Sequence, residues 1–157
     1  LEDFKNKLSP FLKNFNIDIK DHPNVDKLID SMRTSDNTLS GISSNLEPYY
    51  KDIETYDEKA IKKFINDKSL LVQLRTLLSE IDDWNQEPIE NALKDFQVTN
   101  DLSVPEVNQP IRISLVGSTK SPGLGLTLSI FDKNVAIKRI DDLINYISWQ
   151  KQSLFLN

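Results

Sequence analysis

The chain has 157 residues, of which 38% are hydrophobic and 27% charged, with no cysteine and a net charge of −5 at pH 7. This length suits one compact domain or two small helical lobes, and the composition excludes an intrinsically disordered chain. The lack of cysteine excludes disulfides and thiolate metal sites, and it suits a reducing compartment such as the cytoplasm.

Targeting and anchoring signals are not evident in the sequence. No apolar run approaches the ~20 residues that a helix needs to span a bilayer, so we expect no membrane association. The first residues, Leu1-Glu2-Asp3-Phe4, lack the basic and apolar pattern of a signal peptide. Because the sequence does not begin with Met, we expect a processed chain or a fragment of a longer protein.

Helical periodicity dominates the chain. In chain order, apolar residues that recur on one helix face predict helices over residues 25–32, 39–50, 59–65, 70–81, 89–96 and 136–147. Thr55 with Glu58 and Ser103 with Glu106 have the spacing of capping boxes, and Ser121-Pro122 has the pattern of a helix start. We therefore predict an all-α fold of two helical lobes, residues 1–68 and 69–157, joined by a short connector near residue 68.

One segment conflicts with this prediction. Residues 111–116 alternate apolar and polar side chains and are rich in β-branched residues, a pattern that is typical of a strand. No convincing partner strand occurs elsewhere, and an isolated strand leaves its backbone groups without hydrogen bonds. We therefore predict a helix here as well.

Catalytic chemistry is not apparent in the sequence. The single histidine, His22, precedes Pro23 in a predicted turn, and one histidine without cysteine builds neither a zinc site nor a Cys–His pair. The glycines of Gly123-Leu124-Gly125 lack the preceding strand and third glycine of a dinucleotide fingerprint. Acidic pairs such as Asp82-Asp83 are typical of solvated helix faces. The pattern therefore indicates a non-catalytic segment.

The charge distribution leaves two function classes open. Residues 1–100 carry 13 basic and 19 acidic side chains, whereas residues 101–157 carry 6 and 5. A nucleic-acid surface would therefore draw mostly on the second part. The alternative is a helical protein–protein adaptor with no RNA role, which the acidic net charge and the aromatic residues Tyr49, Tyr50 and Trp149 would suit.

Residues 107–140 carry the most specific pattern. In order they contain Val107, Gln109-Pro110-Ile111-Arg112, Leu115-Val116-Gly117-Ser118, Ser121-Pro122-Gly123-Leu124, Phe131-Asp132-Lys133-Asn134 and Arg139-Ile140. This order and spacing resembles the C-terminal anticodon-binding domain of bacterial glutamyl-tRNA synthetases. The resemblance extends more weakly to Trp84 and to Met32-Arg33 and Thr38-Leu39 in the first lobe.

The resemblance implies an α-helical cage of two lobes that binds the anticodon loop of glutamate tRNA. It implies anticodon contacts by Arg112, Ser121, Pro122, Gly123 and Leu124. Unstacked RNA bases are recognised by hydrogen bonds to their edges and by stacking. Arg112 offers a planar donor fork, Ser121 a small hydroxyl at a predicted helix start, and Leu124 an apolar platform. Taken singly, Arg112 would be interpreted as a surface ion pair.

Basic residues near this pattern are candidates for phosphate contacts. They are Lys120, Lys133, Lys138 and Arg139, each of which could otherwise be ordinary surface charge.

The departures from the family pattern concern specificity. The family often carries an arginine where this chain has Ser35, and Arg33 lies two residues earlier. Members without that arginine can also charge glutamine tRNA, so Ser35 suggests a non-discriminating parent enzyme, unless Arg33 reaches the same base. Gly125-Leu126-Thr127 replaces the family's usual Phe-Glu after the loop.

The family's catalytic signatures are missing from this sequence. No histidine pair of the ATP-binding signature is present, and Met32 is followed by Arg33, not by the family's lysine loop. The resemblance therefore implies that ATP, magnesium and glutamate attachment belong to a catalytic domain of the same parent chain, with no cofactor in this segment. We expect a monomer.

Overall fold

A computed structural model describes residues 2–13, 25–35 and 38–156 of the chain. Within these ranges the regular structure is entirely helical, which confirms the all-α prediction. In chain order the helices are α1 Glu2–Lys13, α2 Val25–Ser35, α3 Leu39–Tyr50, α4 Glu58–Phe64, α5 Lys68–Ser79, α6 Gln86–Thr99, α7 Val104–Val116, α8 Leu124–Ile130 and α9 Lys133–Leu156.

The helices pack around α7. Helix α7 contacts α3, α4, α5, α6, α8 and α9, while α5 packs along α9, α6 against α8, and α1 and α2 against α3. Buried residues from residue 8 to residue 147 form one hydrophobic cluster. The division at residue 68 falls at the start of α5 and stays a prediction.

The central position of α7 explains its β-branched sequence. Ile111, Ile113 and Leu115 are all 0% exposed, because neighbouring helices cover α7 on more than one side. Burial of this extent stabilises a helix against the modest intrinsic preference of β-branched residues for strands. The prediction of a helix over residues 111–116 is confirmed.

Local signals account for the ends of α7. The side chain of Ser103 accepts a hydrogen bond from the backbone of Glu106, and the Glu106 side chain accepts one from the backbone of Ser103. This is the predicted capping box, with Pro105 in the first turn, where its missing N–H costs nothing. Gly117 ends the helix with a φ of 81°, as is common for a helix C-terminus.

Two predicted helix starts are wrong. Helix α4 begins at Glu58 with Asp57 as its N-cap, whose carboxylate accepts from the backbone of Lys59 and Ala60. Asp57 lies one residue before Glu58 and satisfies two free N–H groups, so Thr55 is not needed as a cap. Helix α8 begins at Leu124, so the stretch from Ser121 to Gly123 is a loop.

Other helices differ from prediction mainly in extent. Helix α1 has no counterpart among the predicted helices, α9 runs beyond the predicted stretch at both ends, and α5 ends at Ser79. His22 and its predicted turn lie outside the described residues. Within the part of the chain that is described, no helix combines the length and apolar character needed to cross a membrane.

Candidate nucleic-acid interface

The loop of residues 117–123 between α7 and α8 is fixed at its first residue. A Cβ on Gly117 would lie 3.1 Å from the Thr55 carbonyl oxygen and 3.3 Å from the Ile53 Cγ2. The Gly117 carbonyl accepts a hydrogen bond of 2.8 Å from the backbone of Asp57. The positive φ and the close approach therefore both require glycine here. The hydrogen bond with Asp57 fixes the direction in which the loop leaves α7.

Arg112 binds the C-terminal part of this loop, at Ser121 and Pro122. Its Nε donates to the Ser121 hydroxyl at 2.7 Å, its Nη1 to the Gln109 side-chain oxygen at 2.7 Å, and its Nη2 to the Pro122 carbonyl at 3.4 Å. The side chain is half-buried, and that burial lowers the pKa of Arg112. The structure thus brings Arg112, Ser121 and Pro122 together, as their predicted shared role requires.

A second layer of hydroxyl groups lies behind the loop. Thr127, which is 0% exposed, has its Oγ1 3.3 Å from the Pro122 carbonyl and 3.4 Å from the Ser121 hydroxyl. The Tyr49 hydroxyl lies 3.2 Å from the same Thr127 oxygen. Burial raises the pKa of Tyr49 to about 12, against the opposing effects of the Thr127 hydrogen bond and the Arg112 charge. The phenol is therefore neutral at pH 7.

A groove of about 490 Å³ opens beside this loop. Ser31 and Met32 of α2 and Asn45 of α3 form one wall, and the loop residues 119–122 form the other. We call it the α2–loop groove. Its walls offer hydroxyl and amide groups beside the Met32 side chain, which is a suitable lining for a flat, polar-edged ring.

Arg33 and Ser35 lie at the C-terminal end of α2. The Arg33 guanidinium is exposed, sits 4.3 Å from the centre of the Phe4 ring, and has Asp30 at 3.6 Å. The side chain of Ser35 lies outside the described residues. Arg33 is therefore engaged by α1 and by its own helix, one residue along α2 from the groove wall.

Gly123 and Leu124 face different surroundings. Gly123 is exposed, and a Cβ added to it would have nothing within 4 Å beyond its own chain neighbours. Leu124 is only 4% exposed, and it lines a different groove, between α6 and α7, with Leu93 and Asn108. An apolar platform at Leu124 would thus be reached from the α6 side and not through the α2–loop groove.

The four cations predicted to contact phosphate have different environments. Lys120 is exposed on the rim of the α2–loop groove, and its ammonium has no polar partner within the described residues. Lys133 donates to the Ile81 carbonyl at 2.6 Å, just beyond the end of α5. Lys138 pairs with Asp142 at 3.0 Å, which raises its pKa. Of these three lysines, Lys120 is thus the most available for a contact outside the chain.

Arg139 is a structural cation, and its predicted phosphate contact is wrong. The residue is 8% exposed. Its guanidinium donates to the carbonyls of Pro48 and Leu115 at 2.5 Å and of Lys51 at 2.7 Å. It also lies 4.7 Å from the centre of the Phe131 ring. A guanidinium with these buried partners is not available to a phosphate group in solvent.

Sequence reasoning misses several residues of the site. Ser31, Asn45 and Thr119 line the α2–loop groove, and Tyr49 and Thr127 support the loop from behind. Of these residues, only Thr127 could have been found from a local sequence pattern, because it follows Gly123 by about one helical turn and so faces the same end of α8.

Trp84 has a structural role beside the site. In the sequence, Trp84 stands where the family often has a tryptophan. In the structure, its indole N–H lies within hydrogen-bond distance of the carbonyls of Leu128 and Phe131. Trp84 thus anchors the end of α8. Within the described ranges no cluster of acidic or histidine side chains could hold a metal ion.

Comparison with known proteins gives a consistent result. A sequence model of the anticodon binding domain matches residues 3–144. The glutamate–tRNA ligase of Myxococcus xanthus is 33% identical over 138 residues, which cover 86% of this chain and 29% of that protein. The glutamate–tRNA ligase of Legionella pneumophila strain Philadelphia 1 is 28% identical over 148 residues, or 93% of this chain and 32% of that protein.

Solved structures give the same fold. The glutamate tRNA ligase from Elizabethkingia meningosepticum, solved in complex with its amino acid, matches with a TM-score of 0.81 at 24% identity over 92% of this chain and 29% of that chain. The glutamate–tRNA synthetase of Elizabethkingia anophelis matches with a TM-score of 0.77 at 25% identity over 92% of this chain and 28% of that one. The chain spans less than a third of the length of each of these relatives.

Proposed function

Since the chain belongs to the anticodon-binding domain family of glutamate–tRNA ligases, we propose that it binds the anticodon loop of glutamate tRNA. In this role it positions the tRNA so that a catalytic domain of the parent enzyme acylates the acceptor end. Base contacts supply the specificity, and phosphate contacts add affinity that depends on salt. The related proteins give no support to the adaptor alternative.

The observation that carries this proposal is the arrangement of Arg112, Ser121 and Pro122 beside the α2–loop groove. A guanidinium has five N–H donors, and Arg112 directs one from each nitrogen to Gln109, Ser121 and Pro122. One N–H on each terminal nitrogen is left for a ligand. Donors on two nitrogens of one planar guanidinium can bind the acceptors of a base edge. The intramolecular contacts fix their direction before RNA binds, which lowers the entropy lost on binding.

A titration of the chain with an RNA hairpin that carries the glutamate anticodon stem and loop, at low salt, tests the proposal. Arg112→Ala should weaken binding of this hairpin by about tenfold to a hundredfold, the effect of losing one bidentate base contact. A hairpin with an altered middle anticodon base should bind more weakly to the wild type. If neither the variant nor the altered base changes the affinity, anticodon readout is refuted.

Lys120 separates phosphate contacts from base contacts. Lys120→Ala should weaken the cognate and the altered hairpin by the same factor, and it should lower the slope of log affinity against log salt by about one. The matched control is Lys138→Ala, because the Lys138 ammonium is paired with Asp142. A loss restricted to the cognate hairpin would contradict a phosphate role for Lys120.

We propose further that the parent enzyme does not discriminate between glutamate and glutamine tRNA. Ser35 stands where the family often has an arginine, and Arg33 is engaged with the Phe4 ring and Asp30. Arg33 is therefore held on the side of α2 that faces α1. Aminoacylation of both tRNAs by the parent enzyme tests this, and strict rejection of glutamine tRNA would overturn it.

The remaining chemistry is assigned to the rest of the parent protein. We place ATP, magnesium and glutamate attachment in a catalytic domain of the same chain, which works as a cytoplasmic monomer. Within this segment we propose that residues 1–68 and 69–157 act as two lobes on either side of the α2–loop groove. Their wall residues, such as Asn45 and Thr119, lie on opposite sides of that groove.

A further inference from the structure

Tyr49 belongs to α3 in the proposed first lobe, but its hydroxyl reaches Thr127 in α8 of the second. Its side chain is 9% exposed and its partner Thr127 lies 78 residues later in the chain. The Tyr49 ring stacks on Phe131, with 5.3 Å between ring centres and 18° between planes. The ring position is therefore fixed by packing, and the hydroxyl adds a separate, polar contact.

One arrangement of the protons satisfies every hydroxyl of this cluster. The Pro122 carbonyl can only accept, and it lies 2.9 Å from the Ser121 hydroxyl and 3.3 Å from the Thr127 hydroxyl. If both hydroxyls donate to this carbonyl, Ser121 keeps its lone pairs for the Arg112 Nε, and Thr127 keeps its own for Tyr49. Tyr49 then donates to Thr127. This arrangement gives every buried hydroxyl proton an acceptor, as buried polar groups require.

We propose that Tyr49 is a positioning residue for anticodon readout, whose hydroxyl acts through Thr127 to hold Ser121 and Pro122 in the geometry that directs the Arg112 guanidinium. The proposal rests on the proposed function. Without the Tyr49 proton, Thr127 is left with the Ser121 hydroxyl as its nearest donor, at 3.4 Å. If Ser121 turned its proton towards Thr127, the Pro122 carbonyl would lose its donor at 2.9 Å, and the Ser121–Pro122 segment would be less firmly fixed against the Arg112 guanidinium.

The test compares hydroxyl-deleting variants of the full chain on two RNA hairpins, one with the glutamate anticodon and one with its middle base altered. Tyr49→Phe should lower affinity for the cognate hairpin by about threefold to tenfold, the usual worth of one hydrogen bond. The altered hairpin should bind as before, so the ratio of the two affinities falls. Thr127→Val should act in the same direction, whereas Thr127→Ser, which keeps the hydroxyl, should restore the ratio.

The matched control is Tyr146→Phe, which removes a phenol that donates to Glu58 on α4 and should leave the ratio unchanged. Circular dichroism melts identify a temperature at which every variant is folded. A wild-type ratio with no preference for the cognate hairpin overturns the proposed function and this inference with it. A clear wild-type preference that Tyr49→Phe and Thr127→Val both retain overturns the inference alone.

Discussion

Replacing Arg139 with Met should cost this chain a large part of its folding stability. The Met side chain keeps most of the apolar stem but removes the guanidinium that binds the carbonyls of Pro48, Lys51 and Leu115. Pro48 and Lys51 lie at the C-terminal end of α3, and Leu115 lies at that of α7. Arg139 thus caps two helices, where unpaired carbonyls carry partial negative charge.

The magnitude follows from these contacts. A hydrogen bond to a charged group contributes about 1.5–3 kcal/mol net, and the three bonds are not additive because water can reach part of the site in the variant. We therefore expect a loss of about 3–5 kcal/mol, in the range for breaking a buried charged network. At about 2–4 °C per kcal/mol for a chain of this size, the melting temperature should fall by roughly 10 °C.

Urea unfolding followed by far-ultraviolet circular dichroism measures this loss. Lys138→Met is the control, because its pair with Asp142 is exposed to solvent and contributes little to stability. Arg139→Lys should fall between the two, since one ammonium does not reproduce a planar fork. A loss under about 1 kcal/mol for Arg139→Met would refute the capping argument.

Three further stability predictions follow from the structure. Gly117→Ala should cost about 1–3 kcal/mol in urea unfolding, because of its positive φ and the nearby Thr55 carbonyl; a neutral substitution would contradict this. Asp57→Ala should cost about 1 kcal/mol through loss of the α4 cap, whereas Thr55→Ala should stay within about 0.5 kcal/mol, and the reverse order would favour Thr55 as the cap. Burial raises the pKa of the Tyr49 phenol to about 12. The stability that the neutral phenol contributes is therefore complete below pH 10 and is lost as the pH rises through about 12, because the unfolded phenol ionises first. Alkaline unfolding of Tyr49→Phe should therefore show a weaker pH dependence than the wild type, and identical curves would contradict the burial argument.

The helices are predictable from the sequence where apolar residues repeat on a single face. The repeat over residues 70–81 predicts α5 to within two residues at each end, because one stripe of that helix is buried. Residues 111–116 show the limit of that reasoning. Their alternation is a strand pattern, and only burial on several sides, which depends on distant helices, makes them helical.

The residues of the candidate site are predictable from the sequence only in part, and their geometry is not. The family resemblance singles out Arg112 and Ser121, and in the structure the two side chains are hydrogen-bonded at 2.7 Å. Nothing in the sequence indicates that Arg139 is buried, since an arginine on a helix with polar neighbours looks like any surface cation. The contact of Tyr49 with Thr127 joins residues too far apart in the chain for any local pattern to reveal.

The contacts of Arg139 also bear on how the chain folds during synthesis. The end of α3 is made 91 residues before the arginine that binds the Pro48 carbonyl. At about 5–20 residues per second, the ribosome adds those residues in roughly 5–20 s. For that interval the last turn of α3 is held only by its own hydrogen bonds and by the helices already made. The N-terminal half of this segment should therefore stay sensitive to proteases on stalled ribosomes until α9 has emerged.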